Sequence, residues 1–123
     1  MRGVMKKIYI AGKYNDVNVR NVLLNIRVGI ELAVKVLNNG DVPFCPFLDF
    51  LFILMGAGDT LTQQALRDYS LKWLECCDEV WFLPSWINSN GCKTELQRAI
   101  ELKITARYVD NNGIIIMPKE VTQ

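Results

Sequence analysis

A β-prone run near the start of the chain reads Lys7-Ile8-Tyr9-Ile10-Ala11 and ends at Gly12, before the polar stretch Lys13 to Asn18. Such a run, bounded by a glycine and polar residues, predicts a short strand followed by a loop. From Val19 onward, apolar residues recur at about 100° of helical rotation per residue, which predicts a long amphipathic helix ending at Asn38-Asn39-Gly40. The predicted apolar stripe comprises Val22, Leu23, Ile26, Ile30, Ala33, Val34 and Leu37.

The same alternation continues to the end of the chain. A second strand, Val42-Pro43-Phe44-Cys45, completes a β-α-β unit, for which parallel strands and a right-handed crossover are the rule. The later predicted elements are helices at Thr62 to Cys77 and Cys92 to Leu102, and strands at Glu79 to Leu83, Thr105 to Val109 and Ile114 to Met117. This order predicts one α/β domain over residues 1–123. Its doubly wound, mostly parallel sheet has about five strands flanked by helices, in a Rossmann-like or flavodoxin-like arrangement.

Charge and cysteine content exclude several classes of function. Lysine and arginine number 14 against 13 acidic residues, and no basic block is present, so polymeric nucleic acid is not an expected partner. The 4 cysteines lack Cys-x-x-Cys spacing and the chain has no histidine, so we expect reduced, buried thiols and no metal site. The missing histidine also excludes Ser-His and Cys-His nucleophiles, and no cofactor is expected.

The longest near-apolar run, Phe47 to Met55, is shorter than the ~20 residues that span a bilayer. The opening residues lead directly into the first strand pattern without a signal-peptide hydrophobic stretch. We therefore expect a cytoplasmic protein with no membrane partner.

The apolar segment from Phe47 to Leu61 has no clean period. It predicts a lid or a subunit contact, and a short helix packed on the domain's own core remains an open alternative. With Phe47 to Met55 at an interface, we expect a homo-oligomer, most simply a two-fold dimer. Light scattering at micromolar concentration tests this expectation, and a monomeric mass would contradict it.

Ligands of doubly wound sheets bind beyond the carboxyl ends of the strands, which selects Gly12 to Asn18, Pro46 onward, and Pro84 to Glu95. The first segment lacks G-x-G-x-x-G, which disfavours a dinucleotide cofactor bound in the Rossmann manner. In the last segment, small polar residues and Gly91 precede a helix N-terminus, where free amides and the helix dipole favour an anion such as phosphate. The alternative is an ordinary capped turn.

Glu95 is the acidic residue that this pattern favours most. We expect it in the first helical turn, bordering the apolar stripe, where the helix dipole favours its ionised form. An ionised, partly shielded carboxylate that faces a pocket can attack an electrophilic carbon.

Several short motifs occur in a fixed order along the chain. They are Tyr9-Ile10-Ala11-Gly12, Trp73-Leu74-Glu75, Cys77-Asp78-Glu79-Val80, and Ser89-x-Gly91-x-x-x-Glu95 followed by Ala99 and Leu102. With them, nearly the whole chain resembles the nucleoside 2-deoxyribosyltransferase-like superfamily, most closely its small, uncharacterised bacterial and phage members.

The resemblance implies a reaction and a set of site residues. In that family, the glutamate at the position of Glu95 attacks the anomeric carbon of the sugar and displaces the base, and water or a second base resolves the glycosyl ester. In the nucleotide-hydrolysing branch, a serine spaced like Ser89 holds a 5′-phosphate and a tyrosine placed like Tyr9 lies near the nucleophile. Glu95 and Tyr9 are thus the implied catalytic residues. The implied substrate-binding residues are Gly12, Lys13, Asn15, Ser70, Ser85, Ser89 and Gly91.

One position departs from the family pattern. Active members usually carry an aspartate three residues before the tryptophan, where this chain has Ser70. Asp68 lies about 200° away around the helix and is expected to be a solvated surface acid. The Lys13 ammonium suits a phosphate as a point charge, and the alternative interpretation is a solvated surface lysine. Loss of a proton-handling carboxylate lowers rates by ~10²–10⁴-fold.

Two functions remain open at this level. One is a nucleotide or nucleoside N-glycosidase or deoxyribosyltransferase, favoured by Tyr9, Ser89 and Glu95. The other is a non-catalytic protein that senses or sequesters a nucleotide, with cyclic and signalling nucleotides among the candidates, and Ser70 favours it. A structural or interaction module ranks last, because it leaves the polar Ser85 to Glu95 loop unexplained.

Overall fold

The computed structural model describes residues 3–47, 51–52 and 60–116. Its regular elements alternate along the chain as the hydrophobic pattern predicts. The strands are β1 (Lys7–Ala11), β2 (Val42–Phe44), β3 (Glu79–Phe82), β4 (Thr105–Val109) and β5 (Ile115–Ile116). The helices are α1 (Val19–Asn38), α2 (Gln63–Glu75) and α3 (Asn90–Leu102), with a 3₁₀ helix at Pro84–Asn88.

The strands form one sheet in the order β2-β1-β3-β4-β5. The first four strands are parallel and β5 is antiparallel to β4, which confirms the predicted α/β, doubly wound, mostly parallel fold. From β1 the chain moves outward to β2, then returns to the other side of β1 to form β3. The connections therefore diverge at the carboxyl ends of β1 and β3, where such sheets bind ligands.

Strand β1 is buried on both faces and separates two core clusters. Ile8 and Ile10 pack with Leu32 and Val36 of α1. On the opposite face, Tyr9 and Ala11 belong to a cluster that also contains Leu74 of α2 and Cys92 and Ala99 of α3. The alternation of side chains along a strand thus directs Tyr9 toward the α2–α3 side of the sheet.

The buried face of α1 differs from the predicted stripe. The helix buries Val22, Gly29, Leu32 and Val36, whereas the predicted members Leu23, Ile30, Val34 and Leu37 are exposed. Apolar residues surround much of this helix, so periodicity alone does not select the inner face. The inner face is the one that packs Leu32 and Val36 on Ile8 and Ile10 of β1. Tyr14 also lies close to this face, since a Cβ at Gly29 would lie 2.8 Å from the Tyr14 hydroxyl oxygen.

Helix boundaries near the third strand also differ from the prediction. The predicted loop Ser85 to Asn90 is mostly a 3₁₀ helix, and α3 begins at Asn90 instead of Cys92. Trp73, predicted on the inner face of α2, is 46% exposed and stacks on Phe44 with ring centroids 5.1 Å apart.

Glu79, at the start of β3, is the buried charged residue of the described core and is 5% exposed. Its carboxylate accepts hydrogen bonds from Lys6 at 2.9 Å, Trp81 at 2.9 Å and Arg107 at 2.8 Å. Burial alone would raise the pKa of Glu79, but the hydrogen bonds from Arg107, Trp81 and Lys6 lower it to about 2. These contacts connect β3 to β4 and to the residue before β1.

Most of the predicted interface segment, Phe47 to Met55, lies outside the described residues, so its role at a subunit contact stays a prediction. Among residues 3–47, 51–52 and 60–116, no helix combines the length and apolar character needed to cross a membrane.

Candidate functional site

A cavity of about 290 Å³ lies between the loop after β1 and helices α2 and α3. Its walls come from segments that are far apart in sequence but converge where the connections of β1 and β3 diverge. The lining residues are Gly12, Tyr14, Asn15, Val22, Pro46, Gln63, Leu66, Arg67, Ser70, Leu71, Ser89, Gly91, Cys92, Thr94 and Glu95. Of the sequence-predicted residues, six therefore line one cavity: Gly12, Asn15, Ser70, Ser89, Gly91 and Glu95.

The predicted catalytic pair is in direct contact. Tyr9, fully buried in β1, donates a hydrogen bond from its hydroxyl to Glu95 Oε2. Burial raises the pKa of Tyr9 well above its usual value of 10.0, and the adjacent Glu95 charge raises it further, while a Ser70 hydrogen bond opposes the shift. Tyr9 is therefore a neutral donor at physiological pH that orients the carboxylate and does not serve as a base.

The position of Glu95 within its helix corrects one expectation. Because α3 begins at Asn90, Glu95 lies in the second turn and not in the first. The effect of a helix dipole falls off within the first turn. The hydrogen bond from Tyr9, which tertiary packing provides, therefore contributes more to fixing this carboxylate than its place in the helix does.

Ser89 has a structural role at the start of α3. It is the N-cap residue, with extended backbone, and its Oγ accepts a hydrogen bond from the Cys92 amide at 3.1 Å. Serine is among the preferred N-caps because this bond satisfies an amide that the helix leaves unpaired. Ser89 and Gly91 therefore present the amino end of α3 to the cavity.

Two predicted substrate-binding residues do not line the cavity. Ser85 Oγ accepts a hydrogen bond from the Lys13 amide at 2.9 Å, so these residues join the first loop to the 3₁₀ helix. The pKa of Asp16 is lowered mainly by its hydrogen bond from the Asn18 amide, and the positive charge of Lys13 adds a smaller lowering. A Cβ at Gly12 would lie 2.7 Å from Leu83 Cδ1 and 3.4 Å from Ser85 Oγ, so a glycine lets the first loop pass close to both residues.

One face of α2 forms a wall that sequence analysis missed except for Ser70. Gln63, Leu66, Arg67, Ser70 and Leu71 all line the cavity. Their spacing of three and four residues places them on one face of the helix. Counting in steps of three and four residues from Ser70 along the sequence would therefore have predicted the other members. Asp68 lies outside this wall, is exposed, and accepts a hydrogen bond from Gln64 at 2.8 Å.

The expectation of buried thiols holds for Cys77 and Cys92, but Cys45 is half-buried and Cys76, at the end of α2, is exposed. Cys76 does not line the cavity, and the other three thiols are poor nucleophiles. Burial raises the pKa of Cys92, which lines the cavity beside Glu95, to about 12, and that of Cys45 and Cys77 to about 11. The thiolate is the reactive form, so these thiols are inert at neutral pH. Within residues 3–47, 51–52 and 60–116, no cluster of three or more acidic or thiol ligands is placed to hold a metal ion.

Substitutions of Ser89 can distinguish its role as a helix cap from a role in ligand binding. Ser89→Ala is expected to lower the free energy of unfolding by about 1 kcal/mol through the lost cap. It should also weaken a 5′-monophosphate more than the matching nucleoside, by ~1–3 kcal/mol, if its hydroxyl donates to a charged oxygen. Ser89→Asp keeps the cap but should repel the phosphate. Urea unfolding and calorimetric titration measure the two effects.

Thr62→Ala is the matched control, because Thr62 caps α2 in the same way but does not line the cavity. It should lower stability without changing the preference for a phosphate. Equal weakening of nucleoside and nucleotide by Ser89→Ala would show that Ser89 does not contact the phosphate.

Comparison with protein families identifies one relationship. Residues 6–109 match the family model described as Domain of unknown function (DUF7768), which covers well over half of the chain. No curated protein matches the sequence. The matched range extends from just before β1 to the end of β4 and includes the whole described cavity lining. On the extent of this match, the chain belongs to the DUF7768 family.

Proposed function

We propose that the protein binds a nucleoside or nucleotide in this cavity, and that Glu95 attacks the anomeric carbon of its sugar. The activity would be that of an N-glycosidase or a deoxyribosyltransferase. The observation that supports it best is the hydrogen bond from the buried Tyr9 to Glu95, at a cavity wall shared with Ser70 and Ser89. The resemblance to the nucleoside 2-deoxyribosyltransferase-like superfamily supports the same assignment.

The proposed reaction proceeds in two displacements. In the first, a Glu95 carboxylate oxygen forms a bond to the anomeric carbon, and the carbon–nitrogen bond breaks with its electron pair on the departing base, which takes a proton from water. In the second, water or another base attacks the same carbon, the ester bond breaks, and the Glu95 carboxylate is regenerated. Tyr9 holds the carboxylate in position through both steps.

A second candidate function is binding without catalysis, in which the protein senses or sequesters a nucleotide. Glu95 is the sole carboxylate among the cavity-lining residues of the described chain. Ser70 stands where active members of the superfamily that the chain resembles carry an aspartate. Without a second carboxylate to protonate the leaving base, turnover is expected to be slower by ~10²–10⁴-fold. Slow turnover with tight binding would resemble sequestration.

The proposed ligand also bears on where the protein acts and on what kind of partner it binds. Nucleosides and nucleotides are small metabolites of the cytoplasm, so the proposal places the protein there. It acts on a small molecule and not on polymeric nucleic acid, and it does so as the homo-oligomer expected from the Phe47 to Met55 segment.

A panel of nucleosides, mononucleotides, dinucleotides and cyclic nucleotides distinguishes the two functions. The protein is incubated with each compound, base release is followed by chromatography, and depletion of the free compound is measured after ultrafiltration. Base release that increases with time supports the glycosidase. Stoichiometric depletion with no base released supports sequestration, and neither effect with any compound would contradict both functions.

A further inference from the structure

The cavity contains an unexpected charge. Only two of the cavity-lining residues of the described chain carry a formal charge, Glu95 on α3 and Arg67 on α2. Lys13, the cation that the sequence suggested for a phosphate, is not in the lining. If the ligand carries a negative group, the side chain positioned to neutralise it is therefore Arg67.

Arg67 differs from most arginines of the described structure in having no acidic partner. Arg27 pairs with Glu31, Arg98 with Glu75 and Glu101, and Arg107 with Glu79. No carboxylate of the described residues lies within ion-pair distance of Arg67 or of Arg20, and Arg20, on α1, does not line the cavity. Arg67 is thus the unpaired guanidinium of the described chain that faces a binding site.

Helical geometry explains why Arg67 lacks a partner. Its neighbours at three and four residues along α2 are Gln63, Gln64, Ser70 and Leu71, and none is acidic. Side chains at this spacing meet on a helix surface, so an acid at position 70 would lie within reach of Arg67. The serine at that position therefore both removes a carboxylate from the cavity and leaves the arginine charge uncompensated.

We infer that Arg67 is the specificity-determining residue of the cavity and that its guanidinium binds the phosphate of a mononucleotide. The inference rests on the proposed function, because it concerns the ligand of the same cavity. A guanidinium presents a planar pair of donors that matches two phosphate oxygens, which a nucleoside lacks. The volume of about 290 Å³ lies at the small end of ligand cavities, ~300–1,000 Å³, and favours one nucleotide unit over a dinucleotide.

The test compares four deoxynucleoside 5′-monophosphates, the matching nucleosides and inorganic phosphate, titrated calorimetrically into wild type and variants. Arg67→Gln should weaken the best monophosphate by about 10- to 100-fold, the range for a hydrogen bond to a charged group, and leave its nucleoside within about twofold. The affinity of Arg67→Lys for the monophosphate should lie between those of wild type and Arg67→Gln, because lysine keeps the positive charge but lacks the paired donors of a guanidinium. Arg20→Gln, which removes an equally unpaired arginine outside the cavity, should change neither affinity.

The outcomes separate this inference from the proposed function. If Arg67→Gln weakens nucleotide and nucleoside equally, or weakens neither, nucleotide binding stands and the role of Arg67 is refuted. If wild type binds inorganic phosphate, Arg67→Gln abolishes that binding, and no nucleoside or nucleotide binds, the anion contact stands and the proposed function is refuted. If no probe binds to wild type, both are refuted.

Discussion

Glu95→Gln is expected to abolish base release, by about three orders of magnitude or more, while the protein still binds its ligand. Loss of a covalent nucleophile has an effect of at least this size in enzymes that depend on one. Glutamine keeps the shape of the side chain, and its amide oxygen can still accept the hydrogen bond from Tyr9. The substitution removes only the negative charge that attacks the anomeric carbon. Chromatography of released base and calorimetric titration of the same compound measure the two properties on one preparation.

The matched control is Glu101→Gln, the same chemical change on the same helix at an exposed position where the carboxylate pairs with Arg98. It should retain base release. Unchanged base release in Glu95→Gln would refute the nucleophile assignment and the proposed mechanism. Wild type that binds a compound tightly but releases no base would instead favour sequestration, with Ser70 as the structural reason.

Glu79→Gln is expected to lower the free energy of unfolding by about 2–3 kcal/mol at neutral pH. Breaking a buried ion pair costs ~3–5 kcal/mol. We expect a cost at or just below the low end of that range, because the Lys6 and Arg107 side chains are about half exposed to solvent. Since hydrogen bonds hold the pKa of folded Glu79 at about 2, against 4.5 when unfolded, its stabilisation is present above pH 4.5. That stabilisation is lost progressively as the pH falls from 4.5 toward 2.

Urea unfolding of wild type and Glu79→Gln across this pH range checks the prediction, and the difference between them should shrink as the pH falls. Glu31→Gln is the control, because Glu31 is exposed and its contact with Arg27 is 3.9 Å long. It should change stability by less than about 1 kcal/mol. A Glu79→Gln variant as stable as wild type at neutral pH would show that the network contributes little to the fold.

The sequence predicted the order of elements because local chemistry controls it. The run Lys7–Ala11 forms β1 with the predicted bounds, and Thr105–Val109 forms β4 in the same way. Alternating strands and amphipathic helices then allow few arrangements other than a doubly wound sheet. Ser89, Gly91 and Glu95 were found for a related reason, since their short spacing at the start of one helix is visible without knowledge of any distant contact.

Apart from the proximity of Tyr9 to Glu95, which the family resemblance implies, only the tertiary structure decided which distant residues share the cavity. Tyr9 and Glu95 are separated by 86 positions, and their hydrogen bond depends on the packing of α3 against the face of β1 that carries Tyr9. The packing of α2 beside α3 brings Arg67 to the cavity. The pairing of β1 with β3 brings Lys13 and Ser85, which follow these strands, within hydrogen-bond distance. Periodicity reports which faces of an element are apolar, whereas the inner face of α1 is the one that packs Leu32 and Val36 on Ile8 and Ile10 of β1. Contacts of this kind depend on side chains from elements far apart in sequence, which no local pattern encodes.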